Sequence, residues 1–380
     1  MIKVLYVIDT LKTGGAEKSL VDIALHNKEV SACFVTIYGG NDFKSILNDN
    51  GIPCFDLEIK NRYAFKEASQ KLVQLLSKIQ PDVIHSTLFR ADMVARKAIK
   101  KYQIPLISSF VNNSYVKDRY DKLNLVGKLK LKVVQYVDRH SADKTDYFIS
   151  NSQTIKDSNA EFLKVNPTKI QVIYRGRSTD KFNPDLYDKV SIRRNLGAAD
   201  GSFVFLNVSR LLQRKGQIDL IKAFAIIVEK YPQAVLWIAG EGGFRKELET
   251  TIEVMKLQNN IRLLGNRNDI PNLLAAADCF VFPSYYEGLP GALIEAMLSR
   301  KIIICSNIPE NKECVTTNSA IMFEKGNIAQ LSQAMITLMG NEEKFCELGN
   351  EAYEEAILKF DINTVVSQYN TVYRKMILRN

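Results

Sequence analysis

Two glutamates flank a Gly-Leu-Pro turn near residue 290. Glu287 and Glu295 stand in the run Ser-Tyr-Tyr-Glu-Gly-Leu-Pro-Gly-Ala-Leu-Ile-Glu-Ala-Met-Leu-Ser of residues 284–299. Carboxylates accept strong, charge-assisted hydrogen bonds from hydroxyl groups, so this pair could hold a sugar or a ribose. The alternative is an ordinary loop between a strand and a helix, with two solvated glutamates.

The elements around this pair decide where the carboxylates point. Residues 279–282 form a short apolar run that predicts a buried parallel strand. Apolar residues then recur at helical spacing, which predicts a helix with Pro290 in its first turn and Glu295 one turn further on. The backbone N–H groups of residues 288–292 would form the positive end of that helix, where an anion binds well. The segment therefore suits hydroxyl groups that lie beside a phosphate.

A basic pair follows another predicted strand, residues 203–208. Arg210 and Lys215 flank a short loop at its carboxyl end. A guanidinium fork and an ammonium could clamp a diphosphate from two sides. Solvated surface charge is the alternative.

Small residues stand at the ends of three more predicted strands. Glycine lets a phosphate, base or ribose approach the backbone closely, although such residues also simply turn the chain. The glycines are Gly14, Gly15, Gly240 and Gly265, and Glu241 and Asn266 directly follow the last two.

The sequence offers little support for a metal or a catalytic histidine. No Asp-x-Asp pair occurs, which argues against a donor diphosphate held on a metal ion. The six cysteines form no Cys-x-x-Cys pair, so neither a zinc site nor a disulfide framework is indicated. His85 ends a predicted strand that begins at Pro81, and both a structural and a catalytic role stay open for it.

The order of elements predicts an α/β fold with two Rossmann-like domains facing each other across a cleft. Segment 176–200, rich in Gly, Asp, Asn and charged residues, is the expected hinge, which gives domains of residues 1–176 and 177–361. Strands are predicted at 2–8, 33–38, 82–86, 105–110, 147–150, 170–174, 203–208, 234–239, 261–264, 279–282 and 302–305. Helices are predicted at 16–27, 66–79, 90–102, 122–142, 217–230 and 244–257.

Composition indicates an ordinary globular protein of 380 residues, with 46% hydrophobic and 24% charged residues. The net charge is +9, and the first 177 residues hold the whole excess. No aromatic-interleaved recognition motif accompanies this charge, so nucleic acid is not an expected partner. No long apolar segment or signal peptide is evident, and a cytoplasmic protein is expected.

Residues 117–139 combine basic and apolar side chains. Such a stretch can lie on an anionic membrane, which would place the protein at the inner face of the membrane; a solvated outer helix is the alternative. Its basic residues are Lys117, Arg119, Lys122, Lys128, Lys130, Lys132 and Arg139.

Taken together and in this order, the motifs resemble those of glycosyltransferase family 4, the retaining nucleotide-sugar transferases of GT-B fold. Residues 172–176, where the family usually has an Asn-Gly pair, and residues 269–278 are further points of similarity. The resemblance covers nearly the whole chain. It implies that the helix at 362–380 returns to the N-terminal domain.

The resemblance also implies roles for individual residues. Arg210 and Lys215 would hold the donor diphosphate, Glu295 the ribose hydroxyls, and Glu287 hydroxyls of the transferred sugar. The backbone at Gly288, Leu289 and Pro290 would complete the anion site, the Gly14-Gly15 loop would close on it, and the other strand-end residues named above would line the donor site. Many members carry a histidine after the strand at 105–110, but here the chain continues with asparagines. Asn112 and Asn113 are therefore acceptor-side candidates, and His85 and Arg90 are named as candidates beside them.

These observations predict a metal-independent hexosyltransferase without a cofactor. Its donor would be a nucleotide-diphosphate sugar, most simply of UDP or GDP, and its acceptor a saccharide, plausibly lipid-linked, in cell-surface polysaccharide assembly. The N-terminal domain would bind the acceptor and the C-terminal domain the donor. Two other functions stay open: a nucleotide-sugar epimerase of the same fold, and a two-domain protein that binds a ligand without chemistry.

Overall fold

The protein forms two compact units in a computed structural model that describes residues 1–121 and 123–378. The first unit comprises Met1–Gly176 with Ile362–Asn380, and the second comprises Arg177–Asp361. Lys122 of the predicted basic stretch, and the last two residues of the predicted helix 362–380, lie outside the described residues.

Each unit is built on one parallel sheet with helices on its faces. The sheet of the first unit has seven strands in the order β3-β2-β1-β4-β5-β6-β7, and that of the second has six in the order β10-β9-β8-β11-β12-β13. The strands are β1 Ile2–Ile8, β2 Val30–Thr36, β3 Cys54–Asp56, β4 Val83–Thr87, β5 Leu106–Phe110, β6 Tyr147–Ser150, β7 Ile170–Val172, β8 Val204–Val208, β9 Val235–Ala239, β10 Ile261–Gly265, β11 Cys279–Phe282, β12 Ile302–Ser306 and β13 Ile321–Phe323. The helices are α1 Gly15–His26, α2 Lys44–Asp49, α3 Phe65–Ile79, α4 Phe89–Ala98, α5 Lys117–Asp121, α6 Leu125–Ser141, α7 Gln153–Leu163, α8 Lys189–Asn195, α9 Gln217–Lys230, α10 Arg245–Val254, α11 Ile270–Ala276, α12 Gly291–Leu298, α13 Pro309–Cys314, α14 Ile328–Met339, α15 Glu342–Phe360 and α16 Ile362–Ile377.

The apolar runs form strands because helices cover both faces of each sheet. A strand buried on both sides needs apolar side chains at consecutive positions rather than alternate ones. Residues 4–8 of β1 and 279–282 of β11 are accordingly all buried. Both central strands therefore lie deep in a core, and their carboxyl ends are held firmly in place.

Helix α16 packs against the first unit although it ends the described chain. Val365, Tyr369 and Tyr373 recur at helical spacing and are buried in one cluster with residues of β1 and α1. The apolar stripe of α16 thus completes a core begun some 350 residues earlier in the sequence.

In each sheet, chain order reverses between two neighbouring central strands. These are β1 and β4 in the first unit, and β8 and β11 in the second. Ligands of open α/β sheets bind outside the carboxyl ends of the strands at such a reversal. The loops after these four strands are therefore the places to look for a site.

Several predicted boundaries were wrong. The strand predicted at 33–38 is Val30–Thr36, and the three-residue strands β3 and β13 were not predicted at all. The helix predicted at 122–142 begins only at Leu125, where the Asn124 side chain caps α6 by accepting a hydrogen bond from the Gly127 N–H. The expected hinge at 176–200 contains α8 and belongs, from Arg177 onward, to the second unit.

Within the described residues, none of the helices is both long enough and apolar enough to cross a membrane.

Candidate active site

The loops after β8 and β11 meet at the carboxyl edge of the second sheet. The Tyr285 N–H donates to the Arg214 carbonyl at 2.8 Å. Gly216 adopts a φ of 70°, and a Cβ at this position would lie 2.1 Å from the carbonyl oxygen of Pro283. Only glycine fits this close approach, because a side chain would collide with backbone. Gly216 therefore sets the distance between the basic loop and the loop that carries Glu287.

This approach joins two residues that the sequence keeps 72 positions apart. Lys215 Nζ donates to Glu287 Oε1 at 2.5 Å, and both side chains are buried. Burial lowers the pKa of Lys215, while the Glu287 carboxylate acts in the opposite direction. Lys215, predicted to hold the diphosphate, and Glu287, predicted to hold the sugar, thus form one ion pair.

Two arginines add positive charge to this pair. Arg210 is exposed, and its charge acts on Lys215 by lowering the pKa of that ammonium. Arg214 was not singled out from the sequence. Its Nη1 lies 3.6 Å from Glu287 Oε2, it donates to the Tyr286 carbonyl at 2.9 Å, and its guanidinium lies 5.1 Å from the centre of the Tyr286 ring. Lys215 and Arg214 therefore hold one carboxylate, and the charge of Arg210 acts on Lys215, which leaves an excess of positive charge for an anionic ligand.

Glu310, on α13, is a further acidic residue that the sequence analysis missed. It is buried, and burial raises its pKa, whereas hydrogen bonds from its own backbone and from that of Glu287 lower it. Glu310 thus helps to hold the Glu287 backbone. In the sequence, Glu310 stands in Ile-Pro-Glu, a common pattern at the start of a helix, which does not indicate a functional role.

Helix α12 begins one residue later than predicted. Pro290 is the residue before the helix, with φ −78° and ψ 94°, instead of lying in its first turn, and it supplies no side-chain cap. The Pro290 carbonyl accepts hydrogen bonds from the N–H groups of Leu293 and Ile294. Gly288, Leu289 and Pro290 form the loop that enters the helix, and the anion site expected at its N-terminus stays a prediction.

Glu295 is buried on α12 and paired with an arginine that the sequence did not reveal. Arg177 Nε donates to Glu295 Oε1 at 2.9 Å, and the two residues are 4% and 7% exposed. A buried carboxylate needs such a partner to stay ionised. The pair holds Glu295 in one orientation within the second unit.

The turns after β9 and β10 lie at the same edge as the basic loop. The Leu211 N–H donates to the Glu241 carbonyl at 2.9 Å, and the Gly240 N–H to the Gly265 carbonyl at 2.8 Å. The Glu241 side chain is exposed and pairs with Arg245 at 2.5 Å, and Asn266 is exposed. These predicted donor-side residues therefore neighbour the loop of Arg210 and Lys215 through backbone contacts.

In the first unit, three acceptor-side candidates lie at the carboxyl edge of the sheet. Arg90, the second residue of α4, pairs with Asp9 at 3.5 Å. Burial raises the pKa of Asp9 to about 6, against the opposing effects of the Ala91 N–H and Arg90. Asn112 and Asn113 follow β5. Gly14 and Gly15 open α1 after β1, at the same edge.

His85 does not end its strand, because β4 continues to Thr87. The imidazole is completely buried, with Nδ1 2.8 Å from the Tyr373 hydroxyl and Nε2 2.7 Å from Ser109 Oγ. Burial lowers its pKa to about 3. This environment favours the structural role over the acceptor-side one, which stays a prediction without geometric support.

No group of three or more His, Cys, Asp or Glu side chains in the described part of the chain is arranged to hold a metal ion.

Comparisons with known proteins agree with this geometry. A family model described as Glycosyltransferase Family 4 matches residues 13–181, and one described as Glycosyl transferases group 1 matches residues 188–355. Among solved structures, Anabaena HepE in complex with UDP and glucose superposes with a TM-score of 0.83 at 24% identity, covering 98% of this chain and 99% of that one. The two proteins share the GT-B fold.

Two relatives match most of the chain. The UDP-Gal:alpha-D-GlcNAc-diphosphoundecaprenol alpha-1,3-galactosyltransferase of Escherichia coli is 29% identical over 81% of this chain and 79% of its own length. The capsular polysaccharide biosynthesis glycosyltransferase CapH of Staphylococcus aureus is 26% identical over 98% of this chain and 99% of its own length. Since the two family models match in succession and these relatives are glycosyltransferases, the chain is a glycosyltransferase of the family 4 type.

Proposed function

We propose that the protein transfers a hexosyl group from a UDP-hexose to a hydroxyl of a saccharide carried on a lipid diphosphate, with retention of configuration. The observation that carries this proposal is the pairing of Lys215 and Arg214 with Glu287, with the charge of Arg210 acting on Lys215, beside the N-terminus of α12. The relatives support the substrate classes. One is described as acting with UDP-Gal on a diphosphoundecaprenol-linked sugar, and HepE was solved with UDP and glucose.

The cations can stabilise a nucleoside diphosphate as it leaves the transferred sugar. Breaking the bond to the anomeric carbon leaves negative charge on the diphosphate, and fixed cations and N–H groups stabilise that charge most in the transition state. Arg210 is exposed and available to a ligand, and the buried Lys215 ammonium carries three N–H donors, of which Glu287 takes one. The same Lys215 therefore serves Glu287 and a phosphate oxygen at once.

The two glutamates can accept hydrogen bonds from the hydroxyl groups of the donor. Glu287, fixed by Lys215 and Arg214, accepts hydrogen bonds from the transferred sugar, and Glu295, fixed by Arg177, accepts them from the ribose. The acceptor binds the first unit, where Arg90, Asn112 and Asn113 lie at the carboxyl edge of the sheet.

Product formation from matched donors and acceptors tests this function. The protein is incubated with UDP-glucose, UDP-galactose, UDP-N-acetylglucosamine or GDP-mannose, together with a polyprenyl-diphosphate-linked N-acetylglucosamine. We expect UDP release and an extended lipid product with one UDP-hexose, also in the presence of EDTA. The anomeric coupling constant of the new linkage should report retention.

Other outcomes would identify the alternative functions. An epimerised nucleotide sugar formed without acceptor would make the protein an epimerase. Binding of a sugar nucleotide with neither hydrolysis nor transfer, across a full acceptor panel, would make it a ligand-binding protein. Transfer from GDP-mannose alone would replace UDP as the donor nucleotide.

We also propose that α6 binds the surface of an anionic membrane. Leu125, Leu129 and Val133 recur at helical spacing and are 85%, 65% and 55% exposed, whereas Leu131 and Asp138 are buried against the unit. An apolar stripe turned away from the core lacks a partner in the described chain. Lys128, Lys130, Lys132 and Arg139 belong to the same helix. This combination suits insertion of the apolar stripe among anionic head groups.

Vesicle co-sedimentation tests the membrane contact. Wild-type protein should bind phosphatidylglycerol vesicles at low salt, bind phosphatidylcholine vesicles weakly, and dissociate as salt rises. Replacing Leu125, Leu129 and Val133 with serine should abolish binding, and replacing Lys128, Lys130 and Lys132 with glutamine should weaken it by about 3 kcal/mol. The matched control replaces Lys222, Lys246 and Lys256, exposed lysines of the second unit, with glutamine. Equal binding by the control and the α6 variants would disprove the contact.

A further inference from the structure

Arg177 occupies an unusual position for an arginine. It is the first residue of the second unit, it is only 4% exposed, and its backbone N–H donates to the Phe360 carbonyl at 2.8 Å. Its side chain points to α12 and donates through Nε to Glu295 at 2.9 Å. A buried guanidinium is costly to desolvate, so its partner and its location need a physical reason.

The guanidinium also lies against the start of α12. A Cβ added to Gly291, the first residue of the helix, would lie 2.7 Å from Arg177 Nη2. Glycine at 291 thus makes room for the arginine. A cation at a helix N-terminus is unfavourable, because the helix dipole is positive there. This placement does not serve helix stability, and it adds positive charge to the loop proposed for the donor diphosphate.

We propose that Arg177 is a positioning residue of the donor site, which orients the Glu295 carboxylate for the ribose hydroxyls. This inference rests on the proposed function of the same site. A carboxylate has about four acceptor positions, so the bond from Arg177 Nε is compatible with further bonds from hydroxyl groups. Without Arg177, the buried Glu295 carboxylate would lose the partner that orients it, which weakens its hold on the ribose.

The contacts require arginine rather than any cation. Nε donates to Glu295 while Nη2 lies against Gly291, and a planar guanidinium fixes both nitrogens relative to each other. Lysine could supply the charge from a single point. The variant Arg177→Lys should therefore keep part of the function that Arg177→Met loses.

Binding of two nucleotides separates positioning from general stability. UDP and 2′,3′-dideoxy-UDP are titrated calorimetrically into wild-type protein, Arg177→Lys, Arg177→Met and Glu295→Gln. We expect wild-type protein to prefer UDP by at least about tenfold, the effect of losing one hydrogen bond to a charged group. Arg177→Met and Glu295→Gln should each reduce this preference to about twofold or less, by weakening UDP alone, and Arg177→Lys should lie between.

Two further proteins complete the design. Arg194→Met removes an exposed arginine of the same unit and should keep the wild-type preference. The double variant Arg177→Met/Glu295→Gln removes both charges of the pair, so it should fold even if Arg177→Met alone does not, and it should show the preference of Glu295→Gln.

The possible results separate the role of Arg177 from the proposed donor-binding function of the same site. If Arg177→Met and Arg177→Lys weaken both nucleotides equally, or keep the full preference for UDP, Arg177 is not a positioning residue although the donor site stands. A double variant with a smaller preference than Glu295→Gln would also overturn the inference. If the wild-type protein binds neither nucleotide, both the proposed UDP-sugar donor and the proposed role of Arg177 are disproved.

Discussion

Lys215 and Glu287 show how single residues of this site depend on each other. Each was expected to hold a different part of the donor, yet they form an ion pair with each other at 2.5 Å. A buried ion pair that loses one member leaves an uncompensated charge, which is strongly destabilising. Substitutions here will therefore affect both folding and activity, and the two effects need separate measurements.

Removing a cation should slow transfer. Arg210→Ala and Lys215→Ala should each lose at least about 2 kcal/mol of transition-state stabilisation. Each substitution removes a preorganised cation that stabilises the negative charge of the leaving diphosphate. The measurement is kcat/KM with saturating acceptor. Lys246→Ala, an exposed lysine on α10, is the control and should retain the wild-type value.

Stability measurements separate the two effects for Lys215. Lys215→Ala should also lower the free energy of unfolding, since Glu287 stays behind without its ammonium partner, whereas Lys215→Met/Glu287→Gln should recover stability and remain slow. A double variant with wild-type activity would remove Lys215 from the catalytic site.

At the scale of elements, α16 is attached to the first sheet through a polar contact inside an apolar core. Tyr373 of α16 meets His85 of β4 at 2.8 Å and Tyr6 of β1 at 3.1 Å. The imidazole is fully buried, and its pKa of about 3 means that it stays neutral in the folded protein over most of the acid range. His85 therefore couples the attachment of α16 to pH.

This coupling predicts an acid-sensitive fold. In the unfolded chain His85 binds a proton below the ordinary histidine pKa of 6.5, but in the folded protein only near pH 3. Its contribution is fully present above pH 6.5 and is lost as pH falls towards 3, by up to about 1.4 kcal/mol per pH unit. Denaturant unfolding at several pH values should show a smaller slope for His85→Gln than for wild-type protein. His140→Gln, at an exposed histidine of α6, controls for loss of an imidazole. Equal slopes in His85→Gln and wild-type protein would contradict the prediction.

At the scale of the whole molecule, the two units share one architecture and carry different chemistry. The second unit gathers cations and glutamates after β8 and β11, while the first has Arg90 paired with Asp9, and asparagines after β5. The family model for Glycosyltransferase Family 4 falls on the first unit and the model for Glycosyl transferases group 1 on the second. This division supports the proposal that the donor binds the second unit and the acceptor the first.

Hydrogen exchange can locate the two ligands. UDP at 100 times its Kd should protect amides in residues 209–216 and 284–291 by up to about 2.7 kcal/mol, because closed loops exchange only after the ligand leaves. A saccharide acceptor should instead protect residues 88–92 and 111–115. Protection by UDP confined to the first unit would reverse the assignment of the two substrates.

The sequence by itself determined the fold class and singled out most of the candidate site residues. Apolar runs bounded by Gly and Pro marked the central strands, because a strand covered on both faces admits few polar side chains. The basic loop and the two glutamates stood out because they follow such strands. Edge strands of three residues, such as β3 and β13, are too short for a pattern and were missed.

Only the tertiary structure decided which side chains meet. The pairs Lys215–Glu287, Arg177–Glu295 and His85–Tyr373 join residues 72, 118 and 288 positions apart. The local sequence pattern indicates which face of a helix or strand is apolar. It does not indicate which distant residue a side chain on that element contacts. For that reason His85 was expected at a strand end and lies buried within the strand, and Arg177, in an ordinary basic segment, proved to be the partner of Glu295.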